Sequence, residues 1–254
     1  MESWSLFADW HTHTQYSDGK GTIIDNALAG RERQLRQVAI TDHAPASIGV
    51  GFKEPATTIS QMRTEIEAWN ANEQTPQLLL GAETNLVSRQ GDLDLPPQLL
   101  KQLDLVIASL HPLVRPLEWQ DGATMLLPNV IQRYTRLRSR QLRNTNTKAL
   151  VEAVYRNPVS FVAHPGLWLD IDTEELAEAC VCRNTALEIN CQHTDILADY
   201  VAAAMPTGVD FVISSDAHLP EQVGQLEAGW SLAKKLGLPP ERIRNAEQRG
   251  ETSE

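Results

Sequence analysis

Short apolar runs rich in β-branched residues alternate along the chain with longer amphipathic segments, and this alternation predicts an architecture before any single residue is considered. The runs predict strands near residues 5–11, 37–43, 77–84, 103–111, 159–164, 185–191 and 209–216. The segments between them predict helices over 22–36, 58–72, a longer region around 128–155, then 173–183, 194–205 and 220–237. Thr58 with Gln61 has the spacing of a capping box, and Asp172 ahead of Thr173 has the chemistry of an N-cap. Pro112, Pro116 and Pro128 bracket a stretch, 113–127, that predicts a long loop. Strands alternating with helices build parallel sheets with right-handed crossovers, either closed into a barrel or open and doubly wound. The length of 254 residues fits one domain over 1–244, with the polar residues 245–254 as a fraying tail.

Composition narrows the function classes. Hydrophobic residues at 42% and charged residues at 22% are an ordinary soluble balance. The N-terminus lacks a basic segment followed by an apolar run, and no stretch approaches the roughly 20 apolar residues of a membrane span, so a cytoplasmic protein with no membrane partner is expected. Cys180, Cys182 and Cys191 are odd in number and clustered, which fits free thiols. A formal net charge of -11 repels polyphosphate backbones and argues against long DNA or RNA as a partner.

The chemistry lies in the placement of the histidines. Six of the seven, His11, His13, His43, His111, His164 and His218, sit at or just beyond the carboxyl end of a predicted strand. Glu83 and Asp216 end strands as well, and Asp18 follows the first. In β/α barrels that end carries the active site, so nine potential ligands would converge there. Side chains two apart on a strand share a face, so His11 can act with His13, and Asp216 with His218 if both are extended. Asp9 would share that face and could accept an imidazole N–H to fix its tautomer. Imidazole mixed with carboxylate suits zinc, manganese or iron. Nine ligands exceed what one tetrahedral ion needs, so two or three ions would share the site. Three divalent ions against three carboxylates would leave about +3, a pocket for phosphate inside an acidic protein. Such ions activate water and stabilise a leaving oxygen, which is phosphoester hydrolysis without a protein nucleophile.

Taken in order, Asp9-Trp-His11-Thr-His13-Thr-x-x-Ser-Asp18-Gly, Thr41-Asp-His43, Gly81-Ala-Glu83, Ser109-Leu-His111, Ala163-His164-Pro-Gly, Glu188-Ile-Asn190 and Ser215-Asp-Ala-His218 resemble the motifs of the polymerase and histidinol phosphatase (PHP) family. The resemblance implies a distorted seven-stranded (β/α)7 TIM-like barrel with a trinuclear centre at the C-terminal ends of the strands. It places His11, His13, Glu83 and Asp216 on one ion, has Glu83 bridge to a second held by His111 and His164, and puts Asp18, His43 and His218 on the third. A metal-bound hydroxide held by Glu83, Asp216 and His111 would be the nucleophile. Trp10 departs from the leucine usual in the family and displaces no ligand.

Further residues carry weaker expectations. His193, in the loop after the sixth strand, is a candidate general acid. Arg115 and Arg89 follow strand-end ligands and are candidate phosphate-binding groups, and Asn190 could hydrogen-bond substrate or a metal-bound water, or support a ligand from behind. Arg133, Arg136, Arg140 and Arg143 recur at helical spacing and fit a solvated outer helix face. The function expected is hydrolysis of a small phosphomonoester, histidinol-phosphatase-like in kind. The alternatives are an amidohydrolase-like metal hydrolase, a PHP exonuclease or nucleotide phosphodiesterase, and a non-catalytic metal-binding module.

Overall fold

The computed structural model describes residues 4–72, 75–135, 138–167 and 169–248. The chain opens with β1 (Trp4–Leu6) and β2 (Ala8–Thr12), then runs through α1 (Ile23–Glu32), β3 (Gln37–Ile40), α2 (Pro55–Asn70), β4 (Gln77–Asn85), α3 (Pro97–Leu100) and β5 (Leu105–Ser109). After α4 (Trp119–Asp121), a π-helical turn over Gly122–Leu126, α5 (Leu127–Thr135) and α6 (Arg140–Arg156) come β6 (Phe161–Val162), α7 (Thr173–Arg183), β7 (Ala186–Asn190), α8 (Thr194–Ala204), β8 (Phe211–Ser214), α9 (Glu227–Leu236) and β9 (Ala246–Gln248).

Strands β2 to β8 form one parallel sheet in sequence order. The sheet curls until β2 meets β8, where Thr12 bridges Ala217 and the His13 N–H donates to the Ala217 carbonyl at 2.8 Å. At the other end of that seam the buried Asn245 side chain donates to the carbonyls of Ala8 (2.8 Å) and Ile213 (2.6 Å) and accepts the Ile213 N–H (3.1 Å). The result is the seven-stranded TIM-like barrel, nearly closed, that the motifs implied. Residues Ala246–Gln248, expected in a fraying tail, instead pair antiparallel with β1, because Asn245 anchors the chain at the seam.

One irregularity positions the site. Ala8 and Asp9 pair with Gln37 and Val38, but the next partner of β3, Ile40, pairs with Thr12. The extra residue is a β-bulge that resets the alternation of faces. Asp9 therefore does not share a face with His11. It accepts the Ser215 N–H, the Ser215 hydroxyl and the Gly224 N–H, at 3.1, 2.5 and 2.8 Å, and leaves the His11 ring alone. Trp10 packs against Ile107, Phe161, Ala163, Ala186 and Val212, an apolar plug drawn from β5 to β8 and the loop after β6.

Around the barrel, α2 buries Ile59, Met62 and Ile66 on one stripe. It begins at Pro55 rather than at Thr58, since Pro is favoured at the first helical position, and the Thr58 hydroxyl donates to the Lys53 carbonyl instead of capping. Asp172 does cap α7, accepting the Glu175 N–H at 3.2 Å. The region 113–127 is not one long loop: it becomes helical from Trp119. The long helix expected over 128–155 is broken, with Ser139 capping α6. Arg133 and Arg143 thus lie on separate helices, and Arg136 lies outside the described residues. The three cysteines are free. No helix among the described residues is long and apolar enough to cross a membrane.

Candidate metal centre

Six strand ends deliver the nine expected side chains to one place: β2 (His11, His13 and, through a turn, Asp18), β3 (His43), β4 (Glu83), β5 (His111), β6 (His164) and β8 (Asp216, His218). The Asp18 turn folds tightly onto its own strand, where a Cβ on Gly19 would lie 2.5 Å from the His13 carbonyl. Asp216 and His218 converge without being extended, since Asp216 has φ +53°.

Glu83 is the hub. One carboxylate oxygen, Oε1, lies 3.0 Å from His164 Nε2 and 3.3 Å from His111 Nε2, and accepts the Ser109 hydroxyl at 2.6 Å. The other, Oε2, faces His43 Nδ1 at 2.7 Å, His11 Nε2 at 3.6 Å and His13 Nε2 at 3.7 Å. Asp216 Oδ1 stands 3.2 Å from His13 Nε2 and 3.6 Å from His11 Nε2. Asp18 Oδ1 lies 3.4 Å from His218 Nε2 and 3.7 Å from His43 Nε2.

Three groups of donor atoms are compact enough for a cation: His13, Asp18, His43 and His218; His11, His13 and Glu83; and His43, Glu83 and His111. His13 and His43 each belong to two of them. The donors fit divalent metals on a second count. The buried atoms His11 Nε2 and both ring nitrogens of His13 have no hydrogen-bond partner, and the close approach of His43 Nδ1 to Glu83 Oε2 is not aligned as a hydrogen bond. Buried polar atoms without partners cost about 1–3 kcal/mol each, and a shared cation satisfies several at once.

The electrostatics are those of interlocked opposite charges. Burial alone would raise Glu83, but the charges of His111, His43 and His11 outweigh it and hold the carboxyl well below its usual range. Burial and the neighbouring charge of His43 push His13 down to about 4. Burial would lower His218 too, but Asp18 and Asp216 bring it up to about 9. Cations therefore compete with protons for these imidazoles.

Behind the ligands stands a layer that sequence reasoning left without roles. Glu188, fully buried on β7, contacts His11 Nδ1 at 2.7 Å and accepts the His164 backbone N–H at 2.6 Å and the Ser214 hydroxyl. It performs for His11 the tautomer fixing expected of Asp9. Asn85 holds His111 Nδ1 at 2.9 Å, and Asp42 accepts the Thr14 N–H and the Ser17 hydroxyl, fixing the turn that carries Asp18. The signal available was the Glu188-Ile-Asn190 motif, whose alternate residues face the barrel centre.

A cavity of about 350 Å3 lies over the cluster, lined by His43, Glu83, His111, His164, Asp216 and His218 together with His193 and Arg133. His193, in the loop after β7, is thus part of the cavity wall. Asn190 is buried, and its amide holds Asp216 Oδ2 at 2.9 Å rather than facing substrate. Arg89 turns to Asp121 at 3.3 Å, and Arg115 is exposed; neither lines the cavity. The cation that does is Arg133, which the helical spacing had assigned to solvent.

A parallel barrel with nine candidate ligands gathered at its C-terminal rim is of the class of β/α barrels whose strand ends can hold metal. Within that class the chain belongs to the PHP domain family, whose model matches residues 9–215. It is 30% identical over 250 residues to a probable phosphatase of Caldanaerobacter subterraneus subsp. tengcongensis, covering 94% of this chain and 87% of that one. It is 28% identical to the DNA polymerase/3'-5' exonuclease PolX of Bacillus subtilis, covering 97% of this chain and 40% of that protein. In fold it is similar to the histidinol phosphate phosphatase of Lactococcus lactis subsp. lactis solved with zinc, L-histidinol and phosphate, with a TM-score of 0.63 at 16% identity, covering 92% of this chain and 95% of that one.

Proposed function

We propose that this chain is a metal-dependent phosphatase that hydrolyses small phosphate monoesters at a centre of three divalent cations. The observation that carries the reading is the convergence of nine donors from six strand ends, with Glu83 turning its two oxygens toward different imidazoles. Glu83 Oε2 with His11, His13 and Asp216 would hold one cation, Glu83 Oε1 with His111 and His164 a second, and Asp18 with His43 and His218 a third. When bound, such cations polarise phosphoryl oxygens and make water a nucleophile at neutral pH. The acidity of the chain, at -11, then disfavours polyanions while the metal end of the cavity attracts a single phosphate.

The chain's own groups complete the chemistry. The Arg133 guanidinium binds phosphate oxygens at the cavity wall. Burial holds His193 below its ordinary value, and its ring lines the cavity where it can hydrogen-bond the leaving oxygen. Relatives called probable phosphatases support the reaction class, and the Glu83 carboxylate on β4 distinguishes the centre from amidohydrolase sites bridged by a modified lysine.

The test is phosphate release by protein stripped of metal and reconstituted with manganese or zinc, against a broad phosphomonoester panel. The expected result is turnover that chelation abolishes and metal restores. Failure on every ester by fully loaded protein overturns the proposal.

A further inference from the structure

Beside the metal cavity lies a larger one, of about 780 Å3, and Arg133 lines both. The loop after β6 divides them: His164 and Leu167 face the metal cavity, and Gly166 faces the larger. Gly166 has φ +87°, and a Cβ there would lie 2.2 Å from Tyr200 Cε1 on α8. Glycine therefore lets the Tyr200 ring rest directly on the loop that carries a candidate ligand. The ring forms one wall of the larger cavity, with Tyr134 of α5 at its lip, 74% exposed.

Asp170 and Asp199 line the same space, close enough that, with burial, they raise the Tyr200 hydroxyl above its ordinary value. Arg138 also lines it, its Nε 3.6 Å from Asp170 Oδ2. Two arginines and two aspartates balance in charge. Aromatic faces offer stacking area, and carboxylates accept from hydroxyls. A cavity built for a cationic amine would show an excess of acid, and the described residues that line this one show none.

We propose that the second cavity receives the leaving group of the phosphate ester, and that it selects a neutral, hydroxyl-bearing leaving group with a planar ring, the chemistry of a nucleoside, over a cationic amino alcohol. The inference rests on the phosphatase reading and deepens it. The ester spans the two cavities with its phosphate on the metal side of Arg133 and its ring against Tyr200. A volume of this size suits a drug-sized ligand, whereas the metal cavity is at the small end of that range.

The experiment compares kcat/KM of reconstituted protein for a nucleoside 5′-monophosphate, an amino alcohol phosphate and glycerol 2-phosphate. The nucleoside ester is expected to lead both by about tenfold or more, the scale of one stacking contact. Tyr200→Ala is expected to cut that lead by roughly tenfold. Tyr200→Phe, which keeps the packing on Gly166, guards against misfolding, and is expected to retain most of it. Asp199→Asn should reduce the lead without disturbing the loop. Equal or better turnover of glycerol phosphate or the amine ester overturns the inference while leaving the phosphatase intact. If no ester is hydrolysed, the phosphatase reading falls, and equilibrium dialysis of the nucleoside monophosphate decides the cavity separately: binding weakened by Tyr200→Ala supports it, and no binding overturns it.

Discussion

His164 and Asp216 both stand in the left-handed region, at φ +28° and +53°, which non-glycine residues seldom adopt. Such conformations persist where surrounding contacts over-determine them. Glu188 supplies that determination for His164 by accepting its backbone N–H, and Asn190 does so for Asp216 by donating to its carboxylate. Glu188 also orients His11, so it sets two ligands at once. Glu188→Gln should therefore lower divalent-metal affinity by roughly 10- to 100-fold, the usual penalty for losing a ligand's supporting partner. Competition with a chromophoric chelator reads it directly, and wild-type affinity in the variant would refute the role. The convergence of the nine candidate ligands was legible in sequence because all but Asp18 stand at or just beyond the end of an apolar run, and Asp18 lies in the turn that follows the first. Glu188 showed only as one end of the Glu188-Ile-Asn190 motif, and its role did not, because an acid within a strand does not reveal which histidine it will meet.

At the scale of elements, the strands were legible to within a few residues, and periodicity failed where two elements share one pattern. The amphipathic run over 128–155 reads as one helix, yet Ser139 accepts the Leu142 N–H and starts a new one. Arg133, read from that run as part of a solvated face, lines the cavity instead. The bulge in β2 was equally hidden, because counting by twos assumes an uninterrupted ladder, and it sent Asp9 to the other side of the strand. Helix α1 shows an element acting on the site through its cap. Thr22 accepts the Asp25 N–H at 3.1 Å while Asp25 accepts the Thr22 N–H at 2.8 Å, and Asn26 one turn on donates to the His13 carbonyl at 3.0 Å. Thr22→Ala should cost about 1 kcal/mol of stability, measured by urea unfolding, with an unchanged midpoint contradicting the cap's importance.

For the whole molecule, alternation of strands and helices left an open sheet and a closed barrel equally available, because the choice depends on whether the first strand finds the last. It does so sparingly. Between β2 and β8 the described residues share no strand ladder: Thr12 bridges Ala217 at the site end, Asp9 reaches Ser215 further down, and Asn245 ties the other end, whereas the other neighbouring strands pair in register. The stave that carries His11 and His13 and the stave that carries Asp216 and His218 are therefore neighbours across the one join that a bridge and side chains, rather than a ladder, hold among the described residues. A cation gripped from both sides would act as a rivet through that join. Withdrawing it with a chelator should loosen backbone amides at 211–217 and 8–13 ahead of those in β4 and β5, which hydrogen exchange can follow residue by residue; uniform loosening would speak against it. The same atoms that prepare water for chemistry would then also keep the cask from springing open.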